Sequence, residues 1–266
     1  MQWWCSAGTE PWTWQPQFYP GIWLLVGLVA YTYRRLSRHA DTPRSERTYG
    51  WIGVVTMWIA LDWPMGPLAA GYLATAHAIQ FLMISFIAAP LLLIGARTGL
   101  AAWLPTSGQG DVWLRRVLDP LLGAIVFNIV IITTHVPAVN DTLMLSQWGA
   151  FTIDFAWLLS AVWFWWPLIV PVPHRPLFVV PLRMLYLFMG SIVHTGIAIV
   201  MLVNDYPMYG IYELAPRATR MSAITDIKVA GGVMELVGIG IIFTILTVMF
   251  FKYTGGTGAE QRTPRK

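Results

Sequence analysis

The sequence predicts an all-α polytopic membrane protein, a seven-transmembrane-helix bundle with its N-terminus outside (periplasmic) and its C-terminus cytoplasmic. Three observations predict it. Seven apolar stretches follow one another along the 266 residues. Fourteen of the seventeen Lys and Arg residues fall into alternate gaps between them. Hydrophobic residues make up 56% of the chain and charged ones 11%, which leaves no room for a sizeable soluble domain.

The stretches run 18–33, 50–63, 69–95, 117–136, 149–170, 180–203 and 230–251. All but the second reach or approach the roughly 20 residues that a helix needs to cross a hydrocarbon core. The second qualifies only by extending into Tyr49 and Pro64. Alternation with period two is missing, so helices are the remaining way to satisfy every backbone group in lipid. Proline marks the breaks: Trp63-Pro64-Met65-Gly66-Pro67 separates spans two and three, Pro90 sits late in span three, and Pro167, Pro171 and Pro173 end span five.

Basic residues in short loops set the orientation. Arg34, Arg35, Arg38, Arg44 and Arg47 lie between spans one and two, Arg97, Arg115 and Arg116 between three and four, and Arg175 and Arg183 between five and six. Lys252, Arg262, Arg265 and Lys266 follow span seven. All four groups belong on the cytoplasmic side, and only Arg217, Arg220 and Lys228 fall opposite. Three regions result: a periplasmic tail over 1–17, the transmembrane domain over 18–252, and a flexible cytoplasmic tail over 253–266. The net charge of +4 is explained by Arg clusters meeting anionic lipid headgroups and gives no sign of nucleic acid.

The N-terminal segment lacks the basic start and apolar core of a cleaved signal peptide. Trp3, Trp4, Trp12 and Trp14 suit the headgroup level, so the tail is expected to lie along the outer surface. Cys5 is the only cysteine, which excludes an internal disulfide and a multi-thiolate zinc site.

Ionisable side chains inside a bilayer are costly, so their positions point to function. Asp62, His77, Gln80, His135, Asp154 and His194 all fall in the outer halves of the spans under this topology, and Asp226, Lys228 and Glu235 bracket the start of span seven. Imidazole, carboxylate and thioether groups together suit copper(I). Each has a plainer reading. A methionine such as Met234 packs; His194, beside Thr195 and Gly196, hydrogen-bonds a neighbouring helix; Thr225 or Asp226 caps its own helix; Asp154 pairs with Lys228, His77 or His135. His39 and His174 lie in Arg-bearing loops and read as surface residues. The chain has no P-loop, dinucleotide fingerprint, HExxH or GxSxG motif, and an enzyme is not expected.

Residues 63–82, WPMGPLAAGYLATAHAIQFL, and 88–95, AAPLLLIG, resemble the AHxxQ and APPLLLLG region of the CtaG-type cytochrome c oxidase (caa-type) assembly factor family. Thr134-His135-Val136-Pro137 resembles its WHLP element, Phe164-Trp165-Trp166-Pro167 its FWWP element, Arg183 to Leu187 its RLLYL element, and Ser222 to Met234 its DQxxAGxxMW element. The resemblance spans about Gly21 to Phe251 and implies an integral protein of the bacterial cytoplasmic (inner) membrane that delivers copper to a maturing terminal oxidase subunit. Matched one by one, His77, His135, Asp226 and Met234 fall on the family's histidines, acidic residue and methionine. Phe81 and Asp154 stand where the family has two further histidines. The metal site expected is His77, His135 and Asp154, with His194, Asp226 and Met234 secondary. An accessory subunit of a respiratory or photosynthetic complex that has lost metal binding is the alternative.

Overall fold

The computed structural model describes residues 2–39, 42–105, 108–171 and 179–260. His174 and Arg175, and Arg262, Arg265 and Lys266, lie outside the described residues. Among those described there are twelve α-helices, one π-helical segment and no strand. In chain order they are α1 (Pro20–His39), α2 (Arg44–Leu61), α3 (Met65–Gly71), α4 (Ala74–Leu82), the π segment Met83–Ala88, α5 (Ala89–Trp103), α6 (Gly108–Val117), α7 (Pro120–His135), α8 (Pro137–Met144), α9 (Gln147–Ile169), α10 (Val180–Val203), α11 (Gly210–Glu213) and α12 (Ala223–Glu260).

Four of these are long and apolar enough to cross a membrane: Ala74–Trp103 taken as one helix, α9, α10, and α12 over Ala223–Gly255. Two bent pairs raise the number to six, α2 with α3 at 47° and α7 with α8 at 75°. The first expected span, α1, has 20 residues but is not among the six. Arg34, Arg35 and Arg38 in its last turns reduce its apolarity.

Local chemistry explains the breaks. Pro64 cannot donate to α2, and the chain turns there through a cis Trp63–Pro64 peptide into α3. Pro90 does not stop its helix. A proline ring clashes with the carbonyl four residues back and removes one hydrogen bond, and here the wider π turn over Met83–Ala88 precedes it, so the helix runs on to Trp103. Pro167 lies inside α9, which ends two residues later at Ile169. Among the described residues, three N-termini carry hydroxyl or carboxylate caps: Asp119 on α7, Ser146 on α9, and Ser222, whose Oγ accepts from Thr225 N at 3.1 Å, on α12. Helix α12 therefore starts from Ser222 and not from Thr225 or Asp226. Past residue 253 it continues to Glu260, beyond the boundary that the sequence suggests.

Ala74–Trp103 is the central helix, with 61% of its most apolar window buried; α12 is peripheral, with 17%. Helices α2 and α1 pack on α5, α9 packs on α5 and α7, and α12 packs on α10 and α4. Close approach depends on Gly95 and Gly99 of α5. A Cβ on Gly95 would strike the backbone of Gly50 on α2, and one on Gly99 would strike the Leu36 carbonyl of α1. Gly95→Val is accordingly expected to lower stability by about 3 kcal/mol through overpacking. Gly27→Ala, with nothing within 4 Å of its Cβ, is expected to change it by less than about 0.5 kcal/mol. Thermal unfolding in detergent measures both.

The exterior is apolar along its helices, with Leu24, Leu28, Ile129, Leu185, Phe188, Leu236 and Phe243 all exposed. So extended an apolar surface fits a lipid solvent. Several basic helix ends gather at one end of the bundle, where Arg47 O accepts from Tyr33 and Arg97 lies close enough to Arg183 to act on it. The bends of the two broken pairs, α11 and the start of the N-terminal segment pack together away from it, joined by Ala7 N donating to Met144 O, Gly210 N to Asp141 and Tyr212 Oη to Ala69 O.

Candidate functional site: a buried imidazole pair

Helix α4 begins just after an extended residue, Leu73, and has no cap of its own. Its first amides are held from another helix. Asp226 of α12 accepts from Ala74 N at 2.7 Å, Thr75 N at 3.1 Å and Thr75 Oγ1 at 2.6 Å. That clamp fixes α4 just ahead of His77. The sequence reading of Asp226 as a cap for its own helix is thus corrected: it caps a neighbour.

His135 ends α7, because Pro137 starts a new helix after a 75° bend. Its Nδ1 donates to Ile131 O at 2.9 Å, which puts the proton on Nδ1 and leaves Nε2 a lone pair. Its carbonyl accepts from Tyr209 Oη at 2.9 Å. Burial, then Asp141, pushes the Tyr209 phenol above its ordinary value, so it donates as a neutral hydroxyl.

The two imidazoles lie side by side, ring centroids 6.1 Å apart. Trp157 of α9 touches both, at 4.9 Å from His77 and 6.0 Å from His135, and its Nε1 donates to Thr134 Oγ1 at 2.9 Å. Phe81 is 5.2 Å from His135, and Tyr212 is 5.9 Å from His77 while donating to Ala69 O. Asn140 of α8 completes the enclosure, with Nδ2 3.1 Å from His77 Nε2 and 3.5 Å from Thr134 O. His77 Nδ1 and Asn140 Oδ1 are buried without hydrogen bonds; the Ala69 carbonyl is close enough to act on the His77 ring. Beyond Asn140 its neighbour Asp141 lines a cavity of about 480 Å³, together with Gly71, Gly210 and Ile211.

The other expected residues fall elsewhere. Asp154 Oδ2 accepts from Trp4 Nε1 at 2.8 Å, and its Oδ1 is buried and unpartnered. None of the three partners expected from the sequence is its partner. Lys228 pairs instead with Asp205 at 2.9 Å. His194 bridges to α12, its Nε2 2.9 Å from the Met234 carbonyl, and the Met234 side chain is fully buried. Among the described residues no group of three or more His, Cys, Asp or Glu is placed to hold a metal ion.

Asn140 and Trp4 were not anticipated. The N-terminal segment packs inward only near its start, and most of residues 8–18 stay exposed. Trp4 and Cys5 are buried, Ala7 N donates to Met144 O at 2.8 Å, and Cys5 Sγ lies 3.6 Å from Leu61 O. The buried Asp154 carboxylate supplies the reason, since it needs a donor and an indole provides one.

Fold and site together define a helical membrane protein that buries two imidazoles where its helices break. Residues 27–254 match the family model described as the cytochrome c oxidase caa3 assembly factor, Caa3_CtaG. The chain belongs to that family. No curated protein and no solved structure matches it.

Proposed function

We propose that the protein holds copper(I) loosely between His77 and His135 and passes it to a caa3-type oxidase subunit during assembly. The observation that carries this reading is the pair itself: two buried imidazoles on separate helices, centroids 6.1 Å apart, inside an aromatic wall. Copper(I) accepts imidazole readily. Metal–imidazole bonds of about 2 Å are compatible with one ion bridging two rings whose centroids lie 6.1 Å apart. Two ligands suit a cargo that must leave. The electron-rich rings of Trp157 and Tyr212, with centroids 4.9 and 5.9 Å from that of His77, stand close enough to offset part of the cost of desolvating a monocation. Asp154 enters as a buried carboxylate about one turn from Trp157, not as a ligand.

The assembly-factor family supports a non-catalytic role. We place the chain in the bacterial cytoplasmic membrane, in contact with lipid. In this proposal α1 is the seventh span, added to the four long helices and two bent pairs, and the basic end faces the cytoplasm. The imidazole pair then lies in the outer half.

A second reading has its own support. Phe81 occupies ring-contact distance from His135 where the family has a histidine, so the chain holds one imidazole fewer at that spot. An accessory subunit of a membrane complex would tolerate this. Purified protein loaded with copper(I) under reducing conditions separates the two. About one equivalent retained supports cargo handling, whereas fixed-stoichiometry co-purification with a complex and no retained metal supports the accessory role.

A further inference from the structure

We infer that Asn140 is a built-in competitor for the cargo: its side-chain amide occupies the His77 lone pair that would otherwise bind metal. The inference rests on the copper-holding reading and adds how the hold is kept weak. Asn140 Nδ2 lies 3.1 Å from His77 Nε2 and 3.5 Å from the Thr134 carbonyl. The carbonyl can only accept, so the atom facing it is the amide NH2 and not the amide oxygen. The same NH2 faces Nε2, which must therefore be the acceptor, and the His77 proton sits on Nδ1. His135 has the same tautomer, with Nδ1 tied to Ile131 O.

The two rings thus differ in one respect. Among the described residues no hydrogen bond reaches His135 Nε2, whereas His77 Nε2 is capped. For an ion to bridge the pair, Asn140 must give up that contact, while its second N–H keeps the Thr134 carbonyl. Asn140 is 1% exposed and its Oδ1 has no partner, so the amide is held by little besides these two contacts. Asn140 thus acts as a latch on the pair, and the next residue in the chain, Asp141, lines the 480 Å³ cavity.

A positioning role would make any loss of Asn140 weaken binding, whereas a competitor makes it strengthen. Full-length protein in detergent is titrated with copper(I) against a colorimetric copper(I) chelator. Asn140→Ala is expected to bind about 2- to 10-fold more tightly than wild type, the worth of one ordinary hydrogen bond. Unchanged or weaker binding overturns the inference. The metal-free wild type provides a test that needs no stable variant, through 15N NMR of the His77 ring, assigned by its loss in His77→Ala. A proton on Nδ1 with Nε2 shifted as a hydrogen-bond acceptor is expected, and a proton on Nε2 overturns the latch. If neither wild type nor Asn140→Ala binds copper(I), the copper reading fails, while the ring spectrum still decides whether Asn140 caps His77.

Discussion

Asp226→Ala is expected to destabilise the protein by about 2–5 kcal/mol, the cost of deleting a buried charged acceptor and stranding its donors. The carboxylate is 2% exposed and serves Ala74 N, Thr75 N and Thr75 Oγ1 together. Those amides open the central helix, and a helix leaves its first N–H groups without intrahelical partners. In the variant they face a cavity that alanine cannot fill. Asp226→Asn keeps one carbonyl oxygen and the shape, so its expected loss is about half as large. Thermal unfolding in detergent gives the order wild type, Asn, Ala. His77 lies one turn into α4, so the same lesion loosens the site.

Replacing His77 and His135 together by alanine is expected to abolish copper(I) retention with the fold intact. The two rings are the only imidazoles in mutual contact among the described residues, and no third His, Cys, Asp or Glu joins them. Each single substitution leaves one nitrogen ligand in a wall of aromatic carbon, and retention is expected to fall well below one equivalent. The double variant retains none. Its stability cost comes from two cavities, and the Asn140 contact is lost with His77. Circular dichroism establishes that helix content survives, and the metal content of the desalted protein gives the result.

Much of this was legible in the sequence because lipid imposes simple rules. Apolar runs and Pro64 located the helices and the α2–α3 break, and the rarity of buried histidines singled out His77 and His135. What escaped depends on three-dimensional re-aiming. Asn140 follows a 75° bend, so its spacing from His135 says nothing about a ring on α4. Asp226 sits where a helix begins and looks like its own cap, yet Ser222 does that work and frees the carboxylate to cross to α4. Trp4 shares the composition of an interfacial belt, and only the position of Asp154 on α9 shows why one of those indoles is drawn inside. The π segment before Pro90 likewise accommodates the proline ring in a way that hydrophobic periodicity does not encode.

X-ray absorption at the copper edge of the copper(I)-loaded protein tests the imidazole-pair proposal most directly. A nearest shell of two nitrogen neighbours with the outer-shell scattering of imidazole, absent from His77→Ala/His135→Ala, is the predicted spectrum. A shell dominated by sulfur, from Cys5 or the methionines, and unchanged in that double variant, would contradict it.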